Sequence, residues 1–236
     1  TMIVEDPSQN GHIFVFDNQG NFIRHWNRTG QGDEEYTRNL SMTTTDDKIY
    51  IQDHTRIQVY DYSGNHICSI PNKRDRGTQI EVAGDKVYVR KGYMNEKQLH
   101  VMDENGTVLS EHLPSREVTR NFMIPLTNYF SMGSYDGGVY LSNPLDLNIY
   151  LMKDTVQTLA KLDFGAMNLP ADFFDGDTQT VERNMHEARA YKGEKDTRHI
   201  IFIENLVVTD DWITFTPATF DFRVVFCDRN TLETFT

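Results

Sequence analysis

The sequence predicts an all-β fold, a β-propeller of four-stranded antiparallel blades. Three observations predict it: one hairpin motif recurs along the chain, the recurrence has the period of a blade, and each later copy follows a second strand pair with turn residues at its bend. The defining copy is HIFVFDNQGNFIRHW, His12 to Trp26. Ile13 and Val15, then Phe22 and Trp26, alternate with polar neighbours, and Gly20 supplies the positive φ that a tight turn between twisted strands requires. The motif returns as IQVYDYSGNHICSI (57–70), LHVMDENGTVLSEH (99–112), more loosely IYLMKDTVQTLAKL (149–162), and VVFCDRNTLETF (224–235). From Asp17 to Asp61 is 44 residues and from Asp61 to Asp103 is 42, one blade each; the later intervals stretch to 51 and 74, so insertions sit outside the strands.

Taken in order, the first repeat supplies MIVE, HIFVF and FIRHW but lacks an innermost strand. The second adds LSMTT and KIYIQ around Asp46-Asp47, the third QIEVA and KVYV around Gly84-Asp85. The fourth adds YFSMGSY and VYL around Asp136-Gly137-Gly138, the fifth LVVT and WITF around Asp210-Asp211. The longest insertion, 164–199, opens with the turn-rich GAMNLPADFFDGD and continues as a helix near 177–192. Val181, Met185, Ala188 and Tyr191 share one face of it, Asp177 caps its start, Gly193 ends it, and His186 and Arg189 point to solvent. Residues 1–236 read as a single propeller domain with about five blades visible. A propeller closes its ring to remove sheet edges, so six blades are expected in the intact protein.

Composition narrows the partners. Acidic residues number 35 against 23 basic ones, a formal charge of −12, which repels phosphate backbones and anionic membrane surfaces. The one basic run, Lys73-Arg74-Asp75-Arg76, is short and interrupted, so nucleic acid is excluded as an expected partner. No run of 18 apolar residues spans a bilayer. Cys68 and Cys227 fall at unlike points of their repeats and read as two separate buried thiols.

The unit KIYIQDHTRIQVYDYSGNHICSI resembles an NHL-type blade. More widely, FVFDNQGNFIRHW, the GQGDEEY stretch (30–36), NIYLMKD and LDFGAMNLP resemble the six-bladed NHL/TolB-like propeller proteins of the Bacteroides group, over nearly the whole chain. In that family GQG usually continues Pro-Gly-Glu-Tyr; here Asp33 and Glu34 stand in place of Pro and Gly. The resemblance implies an exported protein of the periplasm or cell surface, in many members a lipoprotein, touching a membrane only through a lipid anchor. It implies no activity.

Antiparallel strands alternate direction, so the connections after the outermost strand and those between the second and third strands open on one side of each blade. Fold analogy places ligands on that side. The second strands end at Asp6, Asp53, Lys91, Asn143 and Pro217. With the GQGDEEY loop these define a candidate ligand-binding face of Asp6, Gln31, Glu34, Tyr36, Asp53, His54 and Asn143, suited to a carbohydrate, peptide or protein partner. Enzymatic six-bladed relatives hold calcium or zinc on their axis, to which Asp6, Asp53, His54 and Asn143 would contribute here. Against that, Lys91 and Pro217 break the ring, and Asp6 and Asp53 suit turn capping. The expectation is therefore no catalytic residue, no metal ligand and no cofactor, calcium being the one ion the resemblance would allow. His12, His25, His66, His100 and His112 lie in the outer strands, and no HExxH, G-x-S-x-G or phosphate loop is present. The expected function is a non-enzymatic binding or scaffold propeller of the cell envelope, with a metal-dependent hydrolase or lyase as the alternative.

Overall fold

The first sheet shows how stacking shapes a strand's pattern. In a computed structural model, which describes residues 2–6, 11–72, 77–92, 94–122, 131–189, 199–218 and 223–235, this sheet runs β1 (Met2–Asp6), β2 (His12–Phe16), β3 (Phe22–Trp26), all antiparallel. Along β2, Ile13 and Val15 are buried while His12, Phe14 and Phe16 are half-exposed, the alternation of a sheet covered on one face. The second sheet, β4 (Ser41–Thr44), β5 (Lys48–Gln52), β6 (Arg56–Asp61) and β7 (His66–Pro71), is covered on both. Ile49, Ile51 and Tyr60 pack with Ile13 and Tyr36 toward the first sheet. Tyr50, Ile57 and Val59 pack with Ile80, Val82, Val87 and Val89 of the third. A strand clothed on both sides has no polar face to alternate with, hence the unbroken runs IYI and VY.

The third sheet has the order β11 (Val108–Pro114), β10 (Lys97–Met102), β9 (Lys86–Lys91), β8 (Gly77–Ala83). The fourth is β12 (Ser131–Tyr135), β13 (Gly138–Asn143), β14 (Asp146–Met152), β15 (Val156–Lys161). The fifth is β16 (Ile203–Val208), β17 (Trp212–Pro217), β18 (Val225–Asp228), β19 (Thr234–Phe235). The fold is thus an all-β propeller of five antiparallel blades, the first with three strands among the described residues and the others with four. The chain divides into two compact units, residues 1–90 with 101–110, and residues 91–100 with 111–236. In the second, Tyr140, Ile149 and Leu151 of the fourth blade pack against Ile203, Leu206, Val208, Ile213 and Phe215 of the fifth.

The repeated turn has one mechanism. Asp17 Oδ1 accepts the N–H groups of Gln19 and Asn21 at 2.8 Å each. Asp61 does the same for Ser63 and Asn65 at 2.8 and 2.9 Å, and Asp103 for Asn105 and Thr107 at 2.9 and 2.8 Å. Gly20, Gly64 and Gly106 follow at φ of +82°, +82° and +80°. The bonds from Asn21 hold Asp17 below the usual carboxylate range, and those from Thr107 and Asn105 do so for Asp103.

The insertion carries the helix α2 (Thr178–Arg189). Asp177 caps it, accepting the Thr180 N–H at 2.8 Å, and Val181, Met185 and Ala188 are buried while His186 is exposed. Tyr191 and Gly193, the Arg189 side chain and the basic run Lys73-Arg74-Asp75-Arg76 lie outside the described residues. A short helix α1 (Glu117–Arg120) follows β11 and has no sequence signal of length or period. One expectation is corrected: the cysteines are free, but Cys68 is exposed and Cys227 only half-buried. Cys68 lies on β7, an outermost strand whose residues 67–69 are exposed.

Candidate functional site

Six of the seven expected face residues belong to the first unit, and the structure uses the side chains of two of them, Tyr36 and Asp53, internally. The 30–36 loop is gripped by β6, whose alternate residues Arg56, Gln58 and Tyr60 reach its carbonyls. Arg56 donates to Gly32 O at 2.7 Å and Glu35 O at 3.0 Å, Gln58 to Asp33 O at 2.8 Å and Glu35 O at 2.7 Å, and Tyr60 to Glu34 O at 2.7 Å. Tyr36 is 0% exposed in the core, and its hydroxyl donates to the Gly11 carbonyl, so its ring is not a surface contact. Asp53 is buried and accepts Thr37 N at 3.0 Å, Thr37 Oγ1 at 2.7 Å and His54 N at 2.7 Å. Burial pushes its carboxyl up, but these bonds outweigh burial and hold it below the ordinary value. Asp53 thus ties the loop to the blade. Gln31, Glu34 and His54 are exposed. Asp6 ends β1 opposite His12, and its side chain lies outside the described set.

Asn143 has different surroundings. It ends β13 in the second unit, buried, where the register between β13 and β14 shifts so that Asn143 pairs with Asp146. Such a bulge re-aims side chains. Asn143 lines a depression of about 240 Å³ with Asp146 and Tyr150 of β14, Gln98 of β10, Arg116 at the start of α1 and Thr119 within it. Leu113, Pro114, Pro144, Leu145 and Phe174 form its apolar wall. The insertion builds this site: Leu145 packs with Phe173, Val181 and Met185, which seats Phe174 at the rim. Two wall residues, Leu113 and Leu145, hold φ of +58° and +62°. Each left-handed leucine costs about 1–2 kcal/mol, and such strain persists only where its surroundings over-determine it.

The polar groups of the pocket fall into two sets. Asp146 Oδ1 accepts Asn148 N at 3.0 Å and Asn148 Nδ2 at 2.6 Å, while Oδ2 accepts the Tyr150 hydroxyl. Burial, then the bond and charge of Asp146, push the Tyr150 hydroxyl up to about 12, with Asn148 and Arg116 opposing. Tyr150 has therefore spent its only proton. Arg116 stands apart: exposed, its guanidinium lies over the Phe174 ring at 4.1 Å from the centroid, and no carboxylate among the described residues is within ion-pair distance.

Arg116, Asp146, Tyr150 and Phe174 were not among the sequence candidates. The connection after β11 and the one between β13 and β14 belong to the set of connections expected to carry ligands, but spacing could not say which side chains meet there. Among the described residues no three His, Cys, Asp or Glu side chains are placed to hold a metal ion. Asp53, one of the four residues named for an axial calcium or zinc site, already accepts three hydrogen bonds. A larger groove of about 700 Å³ beside β15 and β17 is mostly apolar, and Arg229 at its edge is committed to Tyr135 and Thr209.

A family profile described as a domain of unknown function, DUF4934, matches residues 2–236. No curated protein matches the chain. Among solved structures, a Bacteroides fragilis protein inferred to be exported is 14% identical, with a TM-score of 0.72, over 97% of this chain and 66% of that one. The chain thus spans just under two thirds of that protein's length. The extracellular domain of an inferred one-component system from B. thetaiotaomicron is 13% identical over 100% of this chain and 27% of that one, with a TM-score of 0.47. The Neurospora crassa Pan2 WD40 domain is 13% identical over 97% and 59%, with a TM-score of 0.49. Among the described residues no helix is long and apolar enough to cross a membrane.

Proposed function

The chain belongs to the DUF4934 family of domains of unknown function, and from that premise we propose that it is a non-enzymatic binding propeller of the cell envelope whose recognition site is the Asn143 pocket. The observation that carries this reading is the pair of strained leucines, Leu113 and Leu145, flanking a depression into which Asn143, Asp146, Tyr150 and Arg116 converge. Asp146 and Tyr150 are bonded to each other and to Asn148, which suits a fixed polar lining better than a base that must exchange protons. The volume fits one sugar ring or a short peptide side chain. The inferred export of the B. fragilis protein supports placement outside the cytoplasm. The six-bladed form and the lipid anchor implied by the resemblance belong to this same proposal.

The test is thermal unfolding with a panel of neutral and acidic monosaccharides and dipeptides, on the wild type and on Pro114→Trp, which places an indole at the exposed rim. A ligand at a hundred times its Kd stabilises by about 2.7 kcal/mol, a rise of roughly 5–10 °C for a chain of this length. The rise is expected in the wild type and lost in P114W. No shift with any member of the panel, or equal shifts in both proteins, counts against the pocket as the recognition site.

A further inference from the structure

We infer that the pocket selects a small polyhydroxylated ligand bearing a single carboxylate, of the hexuronate kind, and that Arg116 receives the carboxylate; this rests on the binding reading above. The argument is one of uncommitted donors. Tyr150 donates to Asp146, Asn148 donates to Asp146, and the Thr119 hydroxyl donates to the Arg116 carbonyl at 2.9 Å. Arg116, by contrast, has a guanidinium plane fixed by Phe174 and, among the described residues, no anionic partner. A guanidinium stacked on a ring keeps its edge of N–H donors free, and that edge matches a carboxylate with two parallel bonds.

Charge decides between anions. Asp146 lies in the same pocket, and the chain carries −12. A phosphate near −2 therefore meets more repulsion than a monocarboxylate does. The remainder of the lining supplies amide and carboxylate groups from Gln98, Asn143 and Asp146 against an apolar wall, the mixture that orients ring hydroxyls.

The experiment is a titration by calorimetry and saturation-transfer NMR with galacturonate, glucuronate, their methyl esters, glucose and glucose 6-phosphate. The proteins are the wild type, Arg116→Gln, Arg116→Lys and P114W. At least one uronate is expected to bind at least tenfold more tightly than its ester and than glucose 6-phosphate. R116Q is expected to bring acid and ester to the same affinity while the protein stays folded, because Arg116 is exposed and the variant gives up only its stacking on Phe174. R116K, which keeps the charge but loses the planar fork, is expected to fall between. Esters binding as tightly as acids, a preference for the phosphate, or an unchanged acid preference in R116Q overturns the carboxylate assignment. If P114W still abolishes that binding, the pocket reading stands alone. Binding indifferent to P114W, or no binding by any probe, overturns both.

Discussion

Leu232 is the left-handed residue of the fifth blade's turn, which is one residue longer, so that it stands four residues after its aspartate where Gly20, Gly64 and Gly106 stand three after theirs. Asp228 accepts Asn230 N at 2.8 Å and Thr231 N at 2.9 Å, two and three residues on, where Asp17 accepts the N–H groups two and four residues on, and Leu232 follows at φ +62°. Its side chain is 74% exposed, so it has little packing to offset the left-handed backbone. Leu232→Gly is expected to stabilise the protein. Relief of about 1–2 kcal/mol of steric cost outweighs the 0.5–1 kcal/mol of backbone entropy that glycine loses on folding, leaving a gain of about 0.5–1 kcal/mol. Urea unfolding checks it, and a lower midpoint in the variant refutes the strain argument. Leu113 and Leu145 show the contrary case. Leu145 has the same backbone geometry but is buried among Phe173, Val181 and Met185, so glycine there would forfeit the packing that holds the pocket wall.

Among the elements, β6 does more than fill a blade. Arg56, Gln58 and Tyr60 follow one another at the two-residue period, so all three face the same side and hold the 30–36 loop by its carbonyls. Gln58 is 0% exposed, with its Nε2 shared between two carbonyls and its Oε1 accepting the Ser69 hydroxyl. Gln58→Leu keeps the volume but strands those groups, and is expected to cost about 2 kcal/mol. Hydrogen exchange checks the local part. The Gly30 N–H, bonded to Tyr36 O at 3.0 Å, should exchange faster in the variant while amides of the second unit do not. This element also marks what the sequence can disclose. The hairpins were legible because Asp, Gly and a two-residue alternation are local signals, and the helix was legible because Val181, Met185 and Ala188 keep a helical period. GQGDEEY looked like a binding loop because its acidic and aromatic residues are conspicuous. Its anchors, Arg56, Gln58 and Tyr60, lie over twenty residues away and have no pattern pointing to it. Arg116 was invisible for the same reason: its ring partner Phe174 sits in the insertion, and only the tertiary fold brings the two together.

At the scale of the molecule, charge makes stability depend on pH in two opposed ways. The turn aspartates Asp17, Asp103 and Asp228, the cap Asp177, and the buried Asp53 all have depressed folded-state values. Unfolding releases them to ordinary values, so their contribution is present above about pH 3.8 and is lost as pH falls through the lower folded values. Glu81 has the opposite sign. It sits buried on β8, bonded by the Thr43 hydroxyl and Val82 N–H, and burial pushes its carboxyl up against those bonds. The folded chain therefore binds the Glu81 proton more tightly than the unfolded chain does. That favours folding below about pH 4.5 and is lost as pH rises through the raised folded value. Protonating other carboxylates also relieves the self-repulsion of a −12 chain. The unfolding temperature should thus rise on moderate acidification from pH 7 and fall steeply once the turn aspartates titrate. Glu81→Gln keeps an acceptor for Thr43 and Val82 without the charge. It should unfold at a higher temperature than the wild type at pH 7, and the difference should close toward pH 4, where Glu81 is neutral in both states. A gap of the same size at both pH values would mean that shape, not charge, sets the cost at this position.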